Sequence, residues 1–303
     1  MSPSLSIVVI VHDMPHQGLN TLRSLAVPHQ RDVDPADYEI IVVENESDRM
    51  IGEQAATAVA GNIRYFQRDN VGQSPVPSLI FGLEQTSSEY VGMVIDGARM
   101  VTPRVVSLAL AAFRISDQAV VAVPGYHLGA DEQHRNPDHD EQFETQLLER
   151  LDWTADGYRL FAASVFFRGR HQHGYLLPAM ESNCLFCPRR MYDEVGGFDT
   201  RFDMPGGGMA NLDLYKRLVE RPRTRLFVTP GEGTFHQFHG GVTTQPDEKR
   251  EEKLAAFREQ YARIRGDHYT LVEKPPTLIG PVTGWAMRML EFSSSCGMRE
   301  LLP

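Results

Sequence analysis

An α/β architecture built on a mostly parallel, Rossmann-like sheet is the fold class this sequence predicts. Three observations carry that expectation. Continuous β-branched runs such as LSIVVIV (Leu5–Val11) read as strands buried on both faces. Segments with apolar residues at helical spacing alternate with those runs, and strand–helix alternation implies right-handed crossovers and parallel pairing. Polar residues collect where the apolar runs finish, at the sheet edge where such folds bind ligands.

The elements follow in chain order. After Leu5–Val11, the segment GLNTLRSLAV places Leu19, Leu22 and Leu25 on one helical face. YEIIVVENES (Tyr38–Ser47) is a second buried strand with a polar end, and Ile63–Phe66 a short third one. SLIFGLEQTSS is helical, with Leu79, Ile80 and Leu83 on one side. Tyr90–Ile95 is the fourth strand, PRVVSLALAAFRI (Pro103–Ile115) a helix, and AVVAVPGYHL (Ala119–Leu128) one further strand. Gly129–Gln142 is polar and aperiodic, hence a loop. FETQLLERL is a helix turning Phe143, Leu147, Leu148 and Leu151 inward. NCLFCPRRMY reads as a strand entering a helix started by proline. Beyond Pro246 the composition changes: Leu254, Phe257, Tyr261 and Ile264 form an apolar stripe on a charged helix from about Asp247 to Arg265. A domain spanning 1–245 with a helical C-terminal extension over 246–303 is the simplest division. The apolar faces of that extension need cover, and a homodimer through its helices is one way to provide it.

Composition narrows the function. A chain of 303 residues with 42% hydrophobic residues has length for one large domain or two small ones. Its formal net charge of -10 argues against general nucleic-acid binding, which needs a basic face. Three cysteines, an odd and sparse set, fit a reducing compartment. No run approaches the roughly 20 apolar residues of a membrane span, and the N-terminus lacks the pattern of a signal peptide. A cytoplasmic location is expected.

The stretch EYVGMVIDGARMVTP concentrates the functional question, because a buried run there ends in a single carboxylate, Asp96, followed by Gly97 and Ala98. Asp13 and Glu44 likewise stand just after or at strand ends. The turn after the first strand, HDMPHQG, is not the G-x-G-x-x-G of a dinucleotide site. A Walker A motif and a G-x-S-x-G elbow are also absent from the sequence. Carboxylates at strand ends repel phosphate directly. They suit a divalent cation that bridges to phosphate, or ribose and base donors. The small Gly97 and Ala98 are expected to let a nucleotide approach the backbone.

Four segments, in order from Ser6 to His239, resemble family 2 glycosyltransferases of the GT-A fold. SIVVIVHDM…LNTLRSL is similar to that family's opening strand, turn and helix. YEIIVVENES resembles the strand that carries its base-binding aspartate, with Glu44 at that position. RDNVGQSPVPSLIFGLEQTSSEYVGMVIDGARMVTP resembles the Asn-x-Gly segment leading into the Asp-x-Asp signature. YDEVGGFDTRF…NLDLYKRL resembles the Gly-Gly-Phe-Asp turn and acceptor-side helix. The resemblance implies a GT-A transferase that moves sugar from a nucleotide-sugar donor to a hydroxyl acceptor, with Mn²⁺ or Mg²⁺. It implies nucleotide contacts at Ile10, His12, Glu44, Asn70, Asp96, Gly97 and Arg99. Asp96, His236 and His239 are the implied metal ligands.

The departures are informative. Asp96-Gly97-Ala98 lacks the last aspartate of the signature, and Arg99 stands where another acid is common, placed to contact diphosphate. Ala210 and Asn211 replace the Glu-Asp that ordinarily supplies the base, and an asparagine cannot accept a proton at neutral pH. Asp213 is the retained carboxylate and the candidate base, with another carboxylate as the alternative. His236 and His239, in GEGTFHQFHGG, are either metal or diphosphate contacts or ordinary histidines of a glycine-rich loop. Cys184 and Cys187 form a C-x-x-C, but in a strand they face opposite sides, so they read as structural and not as a zinc site. The HQH at 171–173 reads as a solvated loop and Asp199 as a cap. A nucleotidyltransferase on a related fold and a non-catalytic nucleotide-sugar binder are the rival functions. The first would need a basic residue soon after the first strand, and HDMPHQG has none.

Overall fold

The computed structural model describes residues 3–69, 72–136, 138–167, 174–176, 182–241 and 249–301. Asn70 and the HQH of 171–173 lie outside the described residues. Twelve strands are present among the described residues: β1 (Leu5–Val11), β2 (Tyr38–Asn45), β3 (Ile63–Arg68), β4 (Tyr90–Val94), β5 (Arg99–Val101), β6 (Ala119–Ala122), β7 (Gly125–Leu128), β8 (Ser164–Phe166), β9 (Cys184–Pro188), β10 (Arg225–Val228), β11 (Thr234–His236) and β12 (Thr277–Leu278). The helices are α1 (Pro15–Leu25), α2 (Glu53–Thr57), α3 (Val76–Glu84), α4 (Val105–Ile115), α5 (Glu141–Leu151), α6 (Arg189–Glu194), α7 (Ala210–Val219), α8 (Arg250–Arg265) and α9 (Met287–Leu301).

The large sheet has the order β12-β10-β6-β9-β4-β1-β2-β3. Its pairings are parallel except around β9, which runs antiparallel to both β4 and β6. This is the expected mostly parallel α/β sheet. A second sheet of order β5-β11-β7-β8 stands beside it. The stretch Ala119–Leu128, read from sequence as one strand, is split between the two sheets. The break falls at Val123 and Pro124, because proline has no N–H to continue a ladder; its carbonyl instead accepts from Thr234 N at 2.8 Å.

Both faces of the large sheet are covered, which explains why β1 and β2 are apolar without alternation. Val8 and Ile10 enter one core, while Leu5, Ile7, Val9 and Val11 enter the other. Cys187 and Cys184 divide the same way, so the two thiols cannot share an ion. Burial pushes the Cys187 thiol up to about 12, leaving it inert.

Of the inward set expected for α5, Leu148 is buried, and its buried companion is the polar Glu144. The C-terminal segment packs into the first core through Phe257, Tyr261, Val272, Ala286 and Met289, with Leu254 and Ile264 partly buried against it. That segment also contributes β12 to the sheet edge, a strand the helical reading did not include. Trp285, Met287 and Phe292 remain exposed. Among the described residues, no helix is long and apolar enough to cross a membrane.

Candidate functional site

A cleft of about 620 Å³ opens beyond the carboxyl ends of β1, β2 and β4. Ile10, His12, Asp96, Arg99, His236 and His239, six of the residues singled out from sequence, line it together.

Strand pairing explains how residues distant in sequence meet. β11 runs antiparallel to β5 with His236 opposite Arg99, and Gln237 N then donates to Ala98 O at 2.8 Å. This register brings the histidine loop against the turn that follows β4. The Asp96 carboxylate is held by its own turn, since Oδ1 accepts from Ala98 N at 3.1 Å. That leaves Oδ2, which lies 3.0 Å from His236 Nε2 and 3.4 Å from His239 Nε2. The two Nε2 atoms are 3.1 Å apart.

Three donor atoms thus form a near-equilateral triangle, and no pairwise hydrogen-bond scheme satisfies all its sides with one proton. His236 is 1% exposed, and its Nδ1 donates to Gln133 Oε1 at 2.8 Å, so its Nε2 faces the triangle as a lone pair. Burial lowers the His236 pKa to about 4 despite the nearby carboxylate, so this ring is neutral. For His239, burial acts downward, but Asp96 outweighs it and its pKa is raised. Burial likewise opposes ionisation of Asp96, but the neighbouring His239 imidazole holds its carboxyl well below the usual range. A carboxylate oxygen and two imidazole nitrogens at these separations suit one divalent ion. Bonds of about 2.1–2.2 Å put neighbouring ligand atoms about 3.0–3.6 Å apart.

Arg99 stands beside this triangle at 3% exposure. Its Nε has no hydrogen-bond partner, Nη1 makes one long contact of 3.5 Å to Thr234 Oγ1, and the guanidinium lies over the Phe167 ring at 5.9 Å. Among the described residues no carboxylate pairs with it. A buried cation without a counter-ion is expensive, and an anionic group in the cleft would relieve that cost.

Three residues expected at the site are placed otherwise. Glu44 is fully buried, and its carboxylate accepts from Ile51 N at 2.8 Å, Gly52 N at 3.0 Å and Tyr65 Oη at 2.7 Å. It anchors the turn after β2, while the next residue, Asn45, faces the cleft. Alternation along the strand makes one residue of difference a change of face. Gly97 gives room to the protein and not to a ligand. A Cβ there would lie 2.6 Å from Ile10 O and 2.9 Å from Val11 Cγ2, and Ala98 is wholly buried in the second core.

Asp213 is also turned away from the cleft wall. It follows Asn211 by two residues, roughly half a helical turn. Its oxygens accept from Arg217 Nε at 2.8 Å and from Arg265 Nε and Nη2 at 2.5 and 2.7 Å. Arg265 also reaches Asp199 at 3.0 Å, so this cluster fastens α8 to α7 and to the Gly-Gly-Phe-Asp turn. Asp199 caps that turn, accepting from Arg201 N at 3.1 Å. Asp213→Asn is therefore expected to lower unfolding free energy by about 2 kcal/mol, less than a fully buried pair because both guanidiniums reach solvent. Donor turnover by the folded variant should persist. Parallel denaturation and turnover assays check this, and a stable but inactive variant would return Asp213 to the chemistry.

Asn211, singled out from the sequence as a departure at the base position, lines the cleft, but its partner Asn183 and several further residues of the site carried no signal in the sequence. Asn183 and Asn211 form an amide pair on the cleft wall, Nδ2 of the latter donating to Oδ1 of the former at 2.9 Å. Gly206, Gly207 and Gly208 all have positive φ, between 56° and 80°, and bend the chain under Phe257 of α8. The amphipathic stripe of α8 indicated burial of Phe257 but not its place at the cleft. Gln133, His139 and Glu144 come from the aperiodic region and its flanking helix.

No protein-family model and no curated protein sequence matches the chain. Solved structures do match in fold. One is the mannosyltransferase PcManGT from Pyrobaculum calidifontis, in complex with GDP-Man and Mn²⁺, at TM-score 0.53 and 13% identity, over 98% of this chain and 70% of that one. Another is GalNAc-T7 with UDP, GalNAc and Mn²⁺, at TM-score 0.53 and 11% identity, over 85% of this chain. The chain spans 48% of the length of GalNAc-T7. The mixed sheet, its flanking helices and these likenesses give the chain the fold of the GT-A glycosyltransferases.

Proposed function

We propose that this protein is a glycosyltransferase that moves a sugar from a nucleoside-diphosphate donor to an acceptor hydroxyl, as a divergent member of family 2. The observation that carries this reading is the Asp96–His236–His239 triangle with Arg99 beside it, at the carboxyl edge of the sheet. Both neighbours described above were solved with a nucleotide or nucleotide sugar and Mn²⁺, which supports nucleotide and cation binding by a protein of this fold.

Asp96 Oδ2, His236 Nε2 and His239 Nε2 would hold a divalent cation. Such an ion, when bound, neutralises the diphosphate and stabilises it as a leaving group. Arg99 adds a fixed positive charge against the same phosphates. Ile10, His12 and Asn45 line the nucleoside end, and Asn70 belongs to this proposal on resemblance alone. In the transfer, the acceptor oxygen forms a bond to the anomeric carbon while the bond from that carbon to the phosphate oxygen breaks. The electron pair leaves with the nucleoside diphosphate, and the hydroxyl proton passes to a base. Asp13 and Asp96 are the two carboxylates among the described residues that line the cleft, and Arg49 Nε binds Asp13 at 3.1 Å. Residues 1–245 form the transferase domain in this proposal and 246–303 its extension. A cytoplasmic location and a homodimer through the C-terminal helices complete it.

Thermal-shift titration with a panel of nucleoside diphosphate sugars, with and without Mn²⁺, tests donor binding. Stabilisation by at least one donor, larger with Mn²⁺, is expected; a flat response across the panel would sink the proposal. Ala210 and Asn211 at the base position favour one second reading, a nucleotide-sugar binder without catalysis. Release of nucleoside diphosphate from the donor separates the two.

Mn²⁺ is expected to support activity better than Mg²⁺. Two of three protein ligands are imidazole nitrogens, and Mg²⁺ prefers oxygen and an octahedral water shell. Activity removed by EDTA and restored equally by both ions would contradict this.

A further inference from the structure

The polar stretch around Gln133 has no part in the chemistry so far, yet it is buried against the histidine loop. Gln133 is fully buried, Glu144 is 3% exposed and His139 is 2% exposed. Gln133 grips His236 twice. Its Oε1 accepts from His236 Nδ1 at 2.8 Å, and its Nε2 donates to the His236 carbonyl at 3.0 Å. The second bond fixes the first, since a carbonyl accepts only from the amide nitrogen, which leaves Oε1 to face the ring. Behind it, Gln133 Nε2 also reaches Glu144 Oε2 at 3.3 Å. Glu144 in turn accepts from Phe238 N at 2.9 Å with both oxygens, and its Oε2 meets His139 Nε2 at 3.0 Å. The backbone between the two histidines is thus held from the same side as the ring.

We infer that Gln133 is a positioning residue that locks His236 in its Nδ1–H tautomer and so turns the Nε2 lone pair toward the cation site. This inference rests on the reading of Asp96, His236 and His239 as metal ligands. A neutral imidazole carries its one proton on either nitrogen, and the hydrogen bond on the far side selects which. Without Gln133 the neighbouring Asp96 carboxylate would favour a proton on Nε2, because that nitrogen lies 3.0 Å from Oδ2. A proton there blocks metal coordination. Ligand-orienting partners of this kind are typically worth about 10–100-fold in metal affinity.

The test has two readouts, the imidazole ¹⁵N spectrum of metal-free protein and Mn²⁺ affinity by electron paramagnetic resonance. The His236 signal is assigned by its loss in His236→Gln. Metal-free wild type should show the Nδ1–H tautomer. Gln133→Leu should shift the ring toward Nε2–H and weaken Mn²⁺ binding about 10–100-fold. The exchange Gln133→Glu with Glu144→Gln keeps an acceptor at Nδ1 and the net charge but loses the donor to the His236 carbonyl, so it should retain the Nδ1–H tautomer in the ¹⁵N spectrum. An Nε2–H tautomer in wild type, or unchanged Mn²⁺ affinity in Gln133→Leu, overturns the inference. If Gln133→Leu does not fold, the wild-type spectrum and the exchange variant decide. Wild type with the Nδ1–H tautomer and no Mn²⁺ binding supports the lock but sinks the metal reading, so the two failures are distinguishable.

Discussion

Asp96→Ala is expected to remove donor turnover by about 10³-fold or more while leaving the protein folded. The substitution deletes the one carboxylate of the triangle, and a bound cation is worth several kcal/mol of transition-state stabilisation; each 1.36 kcal/mol is tenfold in rate. Structural cost should be small. Oδ1 serves one hydrogen bond to Ala98 N, and the side chain is 22% exposed at the cleft. The partners left behind are two imidazoles, which stay neutral more readily once the carboxylate that favours their protonation is gone and can bind water from the cleft. Steady-state turnover of the donor together with a melting curve checks both halves. Full activity in the variant would mean that the carboxylate at the end of β4 does not serve the reaction.

Ending the chain at Gln245 should produce a protein that fails to fold or aggregates. Phe257, Tyr261, Val272 and Met289 are buried in the main core and come from beyond that point. At about 1.5–3 kcal/mol each for large apolar side chains, their loss is on the order of 6–12 kcal/mol. That equals much of the 5–15 kcal/mol by which a typical domain is stable. The ties from Arg265 to Asp213 and Asp199, and from Gln260 Nε2 to Asp203 Oδ1 at 2.8 Å, go as well. Soluble expression, melting temperature and sedimentation of the truncated chain are the measurements. A soluble monomer with an unchanged melting temperature would mark the segment as an independent appendage.

The fold was legible because buried parallel strands have a strong signature. β1, β2 and β4 are runs that could be buried only on both faces, and their carboxyl ends then locate the cleft. The metal candidates were legible in part for the same reason, since Asp96 ends such a run and the two histidines sit in a glycine-rich turn. What failed was direction at the scale of one residue. Glu44 and Asn45 are both polar and both at the end of β2, and the choice between them depends on which face the strand presents. Asp213 was favoured as the acid retained near a familiar helix, but Arg265, some 50 residues away in sequence, turns it to structure. Gly97 was read as space for a ligand because a small residue does not say what fills the space beside it. Gln133 had no signal at all: its role comes from a contact 103 residues away with His236.

The most direct measurement is a crystal of the protein grown with Mn²⁺ and a nucleoside diphosphate, with anomalous scattering recorded at the manganese edge. The expected result is one strong peak about 2.1–2.3 Å from Asp96 Oδ2, His236 Nε2 and His239 Nε2, with the diphosphate between that ion and Arg99. A peak elsewhere in the protein, or nucleotide bound in the cleft while the triangle stays empty at saturating Mn²⁺, would contradict it.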